Sequence, residues 1–333
     1  MNSLEEYLEI FSSRFDKTML SLPPEDLNDI FSFIATRNCW FWYKDRKEEK
    51  IYHKIIKNDI ENVFEMFRNP SRSFVNKIDY SNAWNVFLWN IRLFSWASER
   101  NAWNFLIKYS VVFESIFKFF LEVNSPWLKI YDSGLIETRF KNEYPFVREG
   151  EVWFSSSFNT LWISFLEFFN TFCNRTGNIR FASLSQDLLD QLNVNFHSFF
   201  WDKEKNEPKF CCHPEKNYKI FSGYSVFILA YDPGGLIFKN RKKIFFKKII
   251  DNYYSEKGIK ITSNLLEPSL LPVFWNAYLY FNNCSVKSIR EVSQMVSEHL
   301  SFIDPNHFEK QNREYERGMV EILRFLLNNK SSF

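Results

Sequence analysis

Four side chains able to bind a soft metal, His197, Cys211, Cys212 and His213, crowd into the stretch "NFHSFFWDKEKNEPKFCCHPEKN". Zinc takes four thiolate or imidazole donors in a tetrahedron, and its Cys pairs usually stand two to four residues apart so that both sulfurs reach one ion. Adjacent cysteines point apart in most backbones, so this doublet makes a poor chelate. The stretch reads as a loop with buried thiols and a surface histidine, and neither a metal nor a cofactor is expected. The five cysteines, Cys39, Cys173, Cys211, Cys212 and Cys284, are an odd number and read as reduced thiols.

A second candidate is electrostatic. The segment "KNRKKIFFKKII", residues 239–250, holds Lys239, Arg241, Lys242, Lys243, Lys247 and Lys248 with no acid among them. Written as a helix from 238, it puts Phe238, Phe245, Phe246, Ile249, Ile250 and Tyr253 on one broad face, with Arg241, Lys247 and Lys248 away from it. Lys242 and Lys243 fall at the margin near the first turn, where the helix dipole disfavours cations unless an anion sits there. Arg241, Lys242, Lys243, Lys247 and Lys248 are therefore the candidate contacts to phosphate. The bland reading of the same pattern is the solvated side of a docked helix. A membrane foot is disfavoured, because Asp251 follows at once and the core needs the apolar face.

The segment "RKEEKIYH" sets Arg46 and His53 seven positions apart, which at helical spacing returns both side chains to one face two turns apart. This pair resembles the metal-independent ribonuclease motif of the HEPN group of helical proteins. The resemblance implies that His53 is an acid–base residue and Arg46 a phosphate binder, acting across a dimer. Such roles suit an imidazole that titrates near neutrality and a guanidinium that grips phosphate. The match covers those two residues, and Lys47 stands where the group often has another polar residue. The competing reading is a charged helix face.

Other motifs of catalysis are missing. "DPGG" at 232–235 lacks the Lys-Ser/Thr of a P-loop and the third Gly of a dinucleotide fold. There is no nucleophile elbow and no HExxH. Glu298 and His299 are neighbours and so point about 100° apart on a helix. Asp202, Glu204 and Lys205 form a cluster that a charged-residue content of 25% produces by chance.

The elements that would carry these residues are helical. The apolar spacing of Val63, Phe64 and Phe67 in "DIENVFEMFRN" marks a short helix opened by Asp59. A helical pattern over 81–124 is either one very long helix or two, with a break near Ser98 to Asn101. Within it Trp89, Trp96 and Trp103 recur at seven-residue steps, the mark of a core seam between packed helices. Helices are predicted again at about 156–174, 184–201, 217–231, 238–255, 269–282, 286–302 and 305–328, the last capped by Asp304 with Pro305 at its first position. Pro126, Gly134, Pro145 and Gly150 cluster between 125 and 152 in a chain with only 8 Gly and 11 Pro. That texture predicts a linker or inter-lobe loop, with a small hairpin near 128–142 turning at Asp132-Ser133-Gly134.

The fold class read from this is predominantly α, a multi-helix bundle or irregular helical solenoid with at most that small β-hairpin. The expected organisation is an N-terminal helical lobe over 1–124, a linker over 125–152 and a C-terminal helical lobe over 153–330, or one continuous domain. No repeat of 30–47 residues recurs. No apolar run is long enough to span a bilayer, the nearest being "SFNTLWISFLEFFNTF", which contains Glu167. The acidic N-terminus lacks the basic start of a secretory peptide, so a cytoplasmic protein is expected.

Composition narrows function little. The net charge of +2 excludes neither acidic nor basic partners, and 39 Phe among 20% aromatics fits either codon-driven core filling or exposed stacking platforms. The leading expectation is a helical protein–protein interaction or binding protein without a catalytic motif, an accessory factor of a low-GC phage, mobile element or pathogen. Its partner would be another protein. The alternative is a nucleic-acid-binding or RNA-cleaving helical protein that uses 239–248, with Arg46 and His53 as its active pair.

Overall fold

In the computed structural model residues 49–122, 125–139, 151–216, 218–230, 237–255, 257–261, 266–267 and 270–302 are described. Among the described residues five helices come first: α1 (Glu49–Arg68), α2 (Arg72–Lys77), α3 (Tyr80–Glu99), α4 (Trp103–Ile107) and α5 (Ser110–Glu122). Strands β1 (Leu128–Ile130), β2 (Ile136–Arg139) and β3 (Val152–Ser155) lead into the long helices α6 (Ser156–Thr176) and α7 (Ile179–Phe200). Four very short strands follow, β4 (Trp201–Asp202), β5 (Glu207–Pro208), β6 (Cys211–Cys212) and β7 (Lys219–Ile220), then a 3-10 turn at Gly223–Val226 and α8 (Phe227–Ala230). The basic segment forms α9 (Lys239–Lys248), prolonged by a π turn over Ile249–Tyr253. Strands β8 (Tyr254–Ser255), β9 (Gly258–Lys260) and β10 (Leu266–Glu267) precede α10 (Leu271–Phe281) and α11 (Val286–Phe302). The fold is predominantly α with small antiparallel sheets, in agreement with the 3.6-residue period.

Local chemistry sets the helix ends. Asp79 opens α3 by accepting from the Asn82 amide at 3.0 Å, and Ser71 does the same for α2 from Phe74 at 3.1 Å. The break expected near Ser98–Asn101 falls at Arg100–Ala102, where Asn101 takes the left-handed φ of 53°. Two residues make the whole turn between α6 and α7. Gly177, at φ 71°, ends α6 in the conformation that glycine adopts without a Cβ penalty. Asn178 then accepts from the Phe181 amide at 3.3 Å and starts α7.

The apolar segment that comes nearest to a membrane span is the central core helix. On α6, Phe158, Leu161, Trp162, Ile163, Phe165, Leu166 and Phe169 are all inaccessible to solvent, so the helix is covered around most of its girth. Phe87 of α3 meets Phe120, Phe158, Trp162 and Phe165 at ring separations of 4.6, 5.5, 5.3 and 5.4 Å. Among the described residues the phenylalanines are thus largely core. Trp89, Trp96 and Trp103 are buried as a seam, the last on α4. Among the described residues no helix is long and apolar enough to cross a membrane.

The hairpin predicted near 128–142 is present as β1 and β2, paired Leu128↔Thr138 to Ile130↔Ile136. It belongs to a larger sheet in the order β1-β2-β3-β6-β7, which the sequence does not announce. Asn159 of α6 fastens that sheet to the core, accepting from the Ile136 amide at 2.7 Å and donating to the Ile136 carbonyl at 3.1 Å. Two smaller sheets, β4-β5 and β8-β9-β10, lie downstream. Gly223 permits the 3-10 turn to touch β9, because a Cβ there would meet the Lys260 carbonyl oxygen and Ile259 Cγ2 at 2.4 Å.

Two helix expectations change. Asp59 lies buried inside α1, which begins upstream of it, so it opens no helix. The helix predicted over 217–231 gives way to β7 and the 3-10 turn before α8, since Ser222 and Gly223 interrupt it. The helix predicted over 305–328 lies outside the described residues.

Candidate functional site

The basic helix docks by three side chains. Phe245, Phe246 and Ile249 are buried, with Phe246 stacked on Phe281 at 4.9 Å and on Phe274 at 5.8 Å. Phe238 and Ile250 depart from the predicted apolar face and are 65% and 37% exposed. Phe238 is the residue before the helix, with extended ψ of 137°, so its side chain does not follow helical phase. Ile250 sits in the π turn, where the wider winding shifts the phase.

The cations sort into two sets. The first is used by the protein. The guanidinium of Arg241 lies against the His197 ring and over the faces of Trp201 at 5.4 Å and Phe238 at 5.7 Å. Lys248 donates to the Lys205 carbonyl and pairs with Glu207 Oε2 at 3.7 Å. Lys242 is half-buried. The second set faces water: Lys239, Lys243 and Lys247 are exposed and form no ion pair with the described residues. Spaced by four, they make one row along the outer face. The first turn of the helix has no acid and no side-chain cap.

The hairpin β4–β5 holds the internal charges. Asp202 and Glu207 are direct cross-strand partners and both are buried. Asp202 Oδ1 accepts from the amides of Glu204 at 3.1 Å and Lys205 at 2.9 Å, closing the turn, while Oδ2 meets Lys219 Nζ at 2.9 Å. The Lys205 amide and then the Lys219 ammonium hold the Asp202 carboxyl below its usual range. Burial pushes Glu207 the other way, against the pull of Lys248 and Lys205. Each carboxylate therefore has a lysine from a different element, Lys219 on β7 and Lys248 on α9. That arrangement fixes the hairpin between them.

Burial and then the Arg241 charge, with Lys203 adding to it, hold His197 below the usual imidazole range. The ring is thus neutral near pH 7 and accepts from Arg241. Because its folded pKa lies below the unfolded value near 6.5, the contact contributes stability above that pH and loses it as pH falls through the folded value. Glu207, raised in the fold, has the opposite slope at lower pH. We expect the thermal midpoint of His197→Gln, which keeps an acceptor, to fall less than that of the parent between pH 7 and pH 5. Equal falls in the two proteins would remove His197 from the account.

The metal-binding candidates separate. Cys211 and Cys212 are consecutive in β6 and so point to opposite faces of the sheet. Burial pushes Cys212 up to about 11 and Cys211 well above its ordinary value, so both rest as thiols near pH 7. His197 is occupied by Arg241, and His213 Nδ1 accepts from the amides of Glu215 and Lys216, each at 3.1 Å. Among the described residues no three His, Cys, Asp or Glu gather in a metal-binding group.

Arg46 lies outside the described residues, as do "DPGG" and the side chain of His299. His53 is half-buried in α1, stacked on Phe105 at 5.0 Å and edge-on to Trp96 at 5.5 Å. The carboxylates of the hairpin and the Trp201 platform for Arg241 are not legible in the sequence. Two-residue strands carry no alternation to read, and nothing in the order of residues links 201–207 to 241–248.

No protein-family model matches the sequence, and comparison with curated proteins gives no match. Among solved structures the fold is similar to that of the GH78 family rhamnosidase of Bacillus sp. GL1, with a TM-score of 0.55 at 14% identity. The likeness covers 74% of this chain and 26% of that one, so the chain spans about a quarter of the rhamnosidase. At this identity the likeness concerns the fold alone.

Proposed function

We propose that this chain is a helical binding protein whose ligand is single-stranded nucleic acid, held along the outer face of α9. The observation that carries the reading is the exposed row Lys239, Lys243 and Lys247 on a helix entered through Phe238, whose ring is exposed next to Arg241. The helical rise sets successive lysines of the row about 6 Å apart along the helix axis, and Phe238 offers a face on which a base can stack. Nucleic acid needs both charge and stacking surface; an acidic protein surface needs only the first. The inner cations Arg241 and Lys248 fix the helix in place, so the outer row is presented on a braced element.

The protein-partner reading draws on aromatic anchors gathered in a groove. The exposed aromatics among the described residues are Tyr131, Tyr218, Phe238 and Tyr280, at four separate places in the chain, which favours Phe238 and its lysines instead. The rhamnosidase likeness contributes the helical scaffold to this reading and no residue of the site.

The reading separates nucleic acid from polyanions in general. Phe238→Ala is expected to weaken binding of a labelled single-stranded RNA by about 1–3 kcal/mol and to leave binding of inorganic polyphosphate unchanged. Fluorescence anisotropy gives both constants. Equal losses on the two ligands, or none on RNA, would reduce the surface to a charged face without stacking.

A further inference from the structure

A cleft of about 240 Å³ opens next to the β4–β5 hairpin, and its lining includes Lys209, Cys212, His213, Lys216, Tyr218 and Lys219. We infer that this cleft binds a phosphate monoester group, on its own account and independently of the α9 face. Three lysines enter the lining and no carboxylate does. Two of them are held in place by the protein: Lys219 by Asp202 Oδ2 at 2.9 Å and Lys209 by the carbonyl of Phe199, which also lines the cleft, at 2.6 Å. An ammonium has three N–H donors, so one bond to the protein leaves others for a ligand. Asp202 and Glu204 act on Lys219 from the hairpin and offset part of the charge.

His213 supplies the directional donor. Its Nδ1 accepts from two backbone amides, which fixes the proton of the neutral ring on Nε2. Its ring also packs edge-on against Trp153 at 5.6 Å. The exposed phenol of Tyr218 adds a further hydroxyl, with Lys216 above its ring at 5.9 Å. Burial keeps Cys212 a neutral thiol, so the sulfur adds no negative charge. The donor set therefore combines movable and fixed ammonium groups, an imidazole N–H and a hydroxyl. It suits the three terminal oxygens of a phosphate monoester. The volume is below the roughly 300–1,000 Å³ of drug-sized pockets, which fits a phosphate with little attached.

Inorganic phosphate is the probe, titrated calorimetrically into the full chain at constant ionic strength with chloride as the reference anion. Saturable binding is expected, at least about tenfold weaker in Lys216→Gln and in His213→Phe, the latter keeping a ring against Trp153. Lys243→Ala on α9 is expected to bind phosphate as the parent does, so failure of the nucleic-acid reading leaves this test intact. Displacement by a 5′-phosphorylated oligonucleotide but not by its 5′-hydroxyl counterpart assigns the group to a strand end. Displacement by ribose 5-phosphate but not by either oligonucleotide assigns it to a free phosphate ester. No saturable binding by the parent, or an affinity equal to the parent's in both Lys216→Gln and His213→Phe, overturns the assignment.

Discussion

Replacing Trp96 by alanine is expected to lower the free energy of unfolding by about 3–5 kcal/mol. Trp96 is buried near the end of α3, 5.9 Å from Phe105 and 5.5 Å from His53, both at near-perpendicular ring angles. Truncation removes the transfer energy of a large ring and leaves a cavity between helices that are held on both sides. The loss is a fifth or more of the roughly 5–15 kcal/mol that keeps a typical domain folded. Urea unfolding followed by far-UV circular dichroism measures it. An unchanged unfolding midpoint would mean that the seam Trp89, Trp96 and Trp103 faces something other than the core.

Trp89 and Trp96 are legible because a seven-residue step returns to one helix stripe, whereas Trp103 is buried on α4, beyond the break. The break before Trp103, the Gly177–Asn178 turn and the docking of Phe245 and Phe246 follow from equally local signals: a polar interruption, a glycine able to take positive φ, and apolar spacing. The sheet is not legible beyond its first hairpin. Cys211↔Ile220 and Phe154↔Cys212 join strands of two and four residues, and the Ser156 amide at the start of α6 ties them to the core by donating to the Phe210 carbonyl at 2.8 Å. Sequence period carries no trace of that pairing.

The candidate site is half visible in the sequence. Charge density points to 239–248, and the helix drawn from it places the buried face correctly at Phe245, Phe246 and Ile249. It does not separate working cations from spare ones. By spacing alone Lys248 is as free as Lys247, yet the hairpin brings Glu207 to it. Arg241 reads as a phosphate contact, yet Trp201 and His197 enclose it. Conversely, helical phase assigns Phe238 to the core, and it lies outside. Contacts between segments far apart in the chain decide the two cations, and a non-helical ψ decides Phe238.

The salt dependence of RNA binding tests the central claim most directly. Each ammonium that neutralises a phosphate of a single strand releases a counterion and adds about 0.7 to the slope of log K against log salt. Lys239, Lys243 and Lys247 are exposed and unpaired among the described residues, so their joint replacement by alanine leaves the fold's own contacts in place. The parent slope is expected to be steeper than that of the triple variant by about 2, so that a fourfold rise in salt weakens the parent about 20-fold more. Lys248→Ala should instead disturb Glu207 and lower stability while changing the slope little, since its charge already has a partner. Anisotropy of a labelled single-stranded RNA, read at several salt concentrations between 50 and 200 mM, roughly the range over which such slopes are resolved, gives the comparison. A slope that flattens by about 2 in the triple variant is the result this account predicts; no RNA binding by the parent, or parallel lines for parent and triple variant, would contradict it.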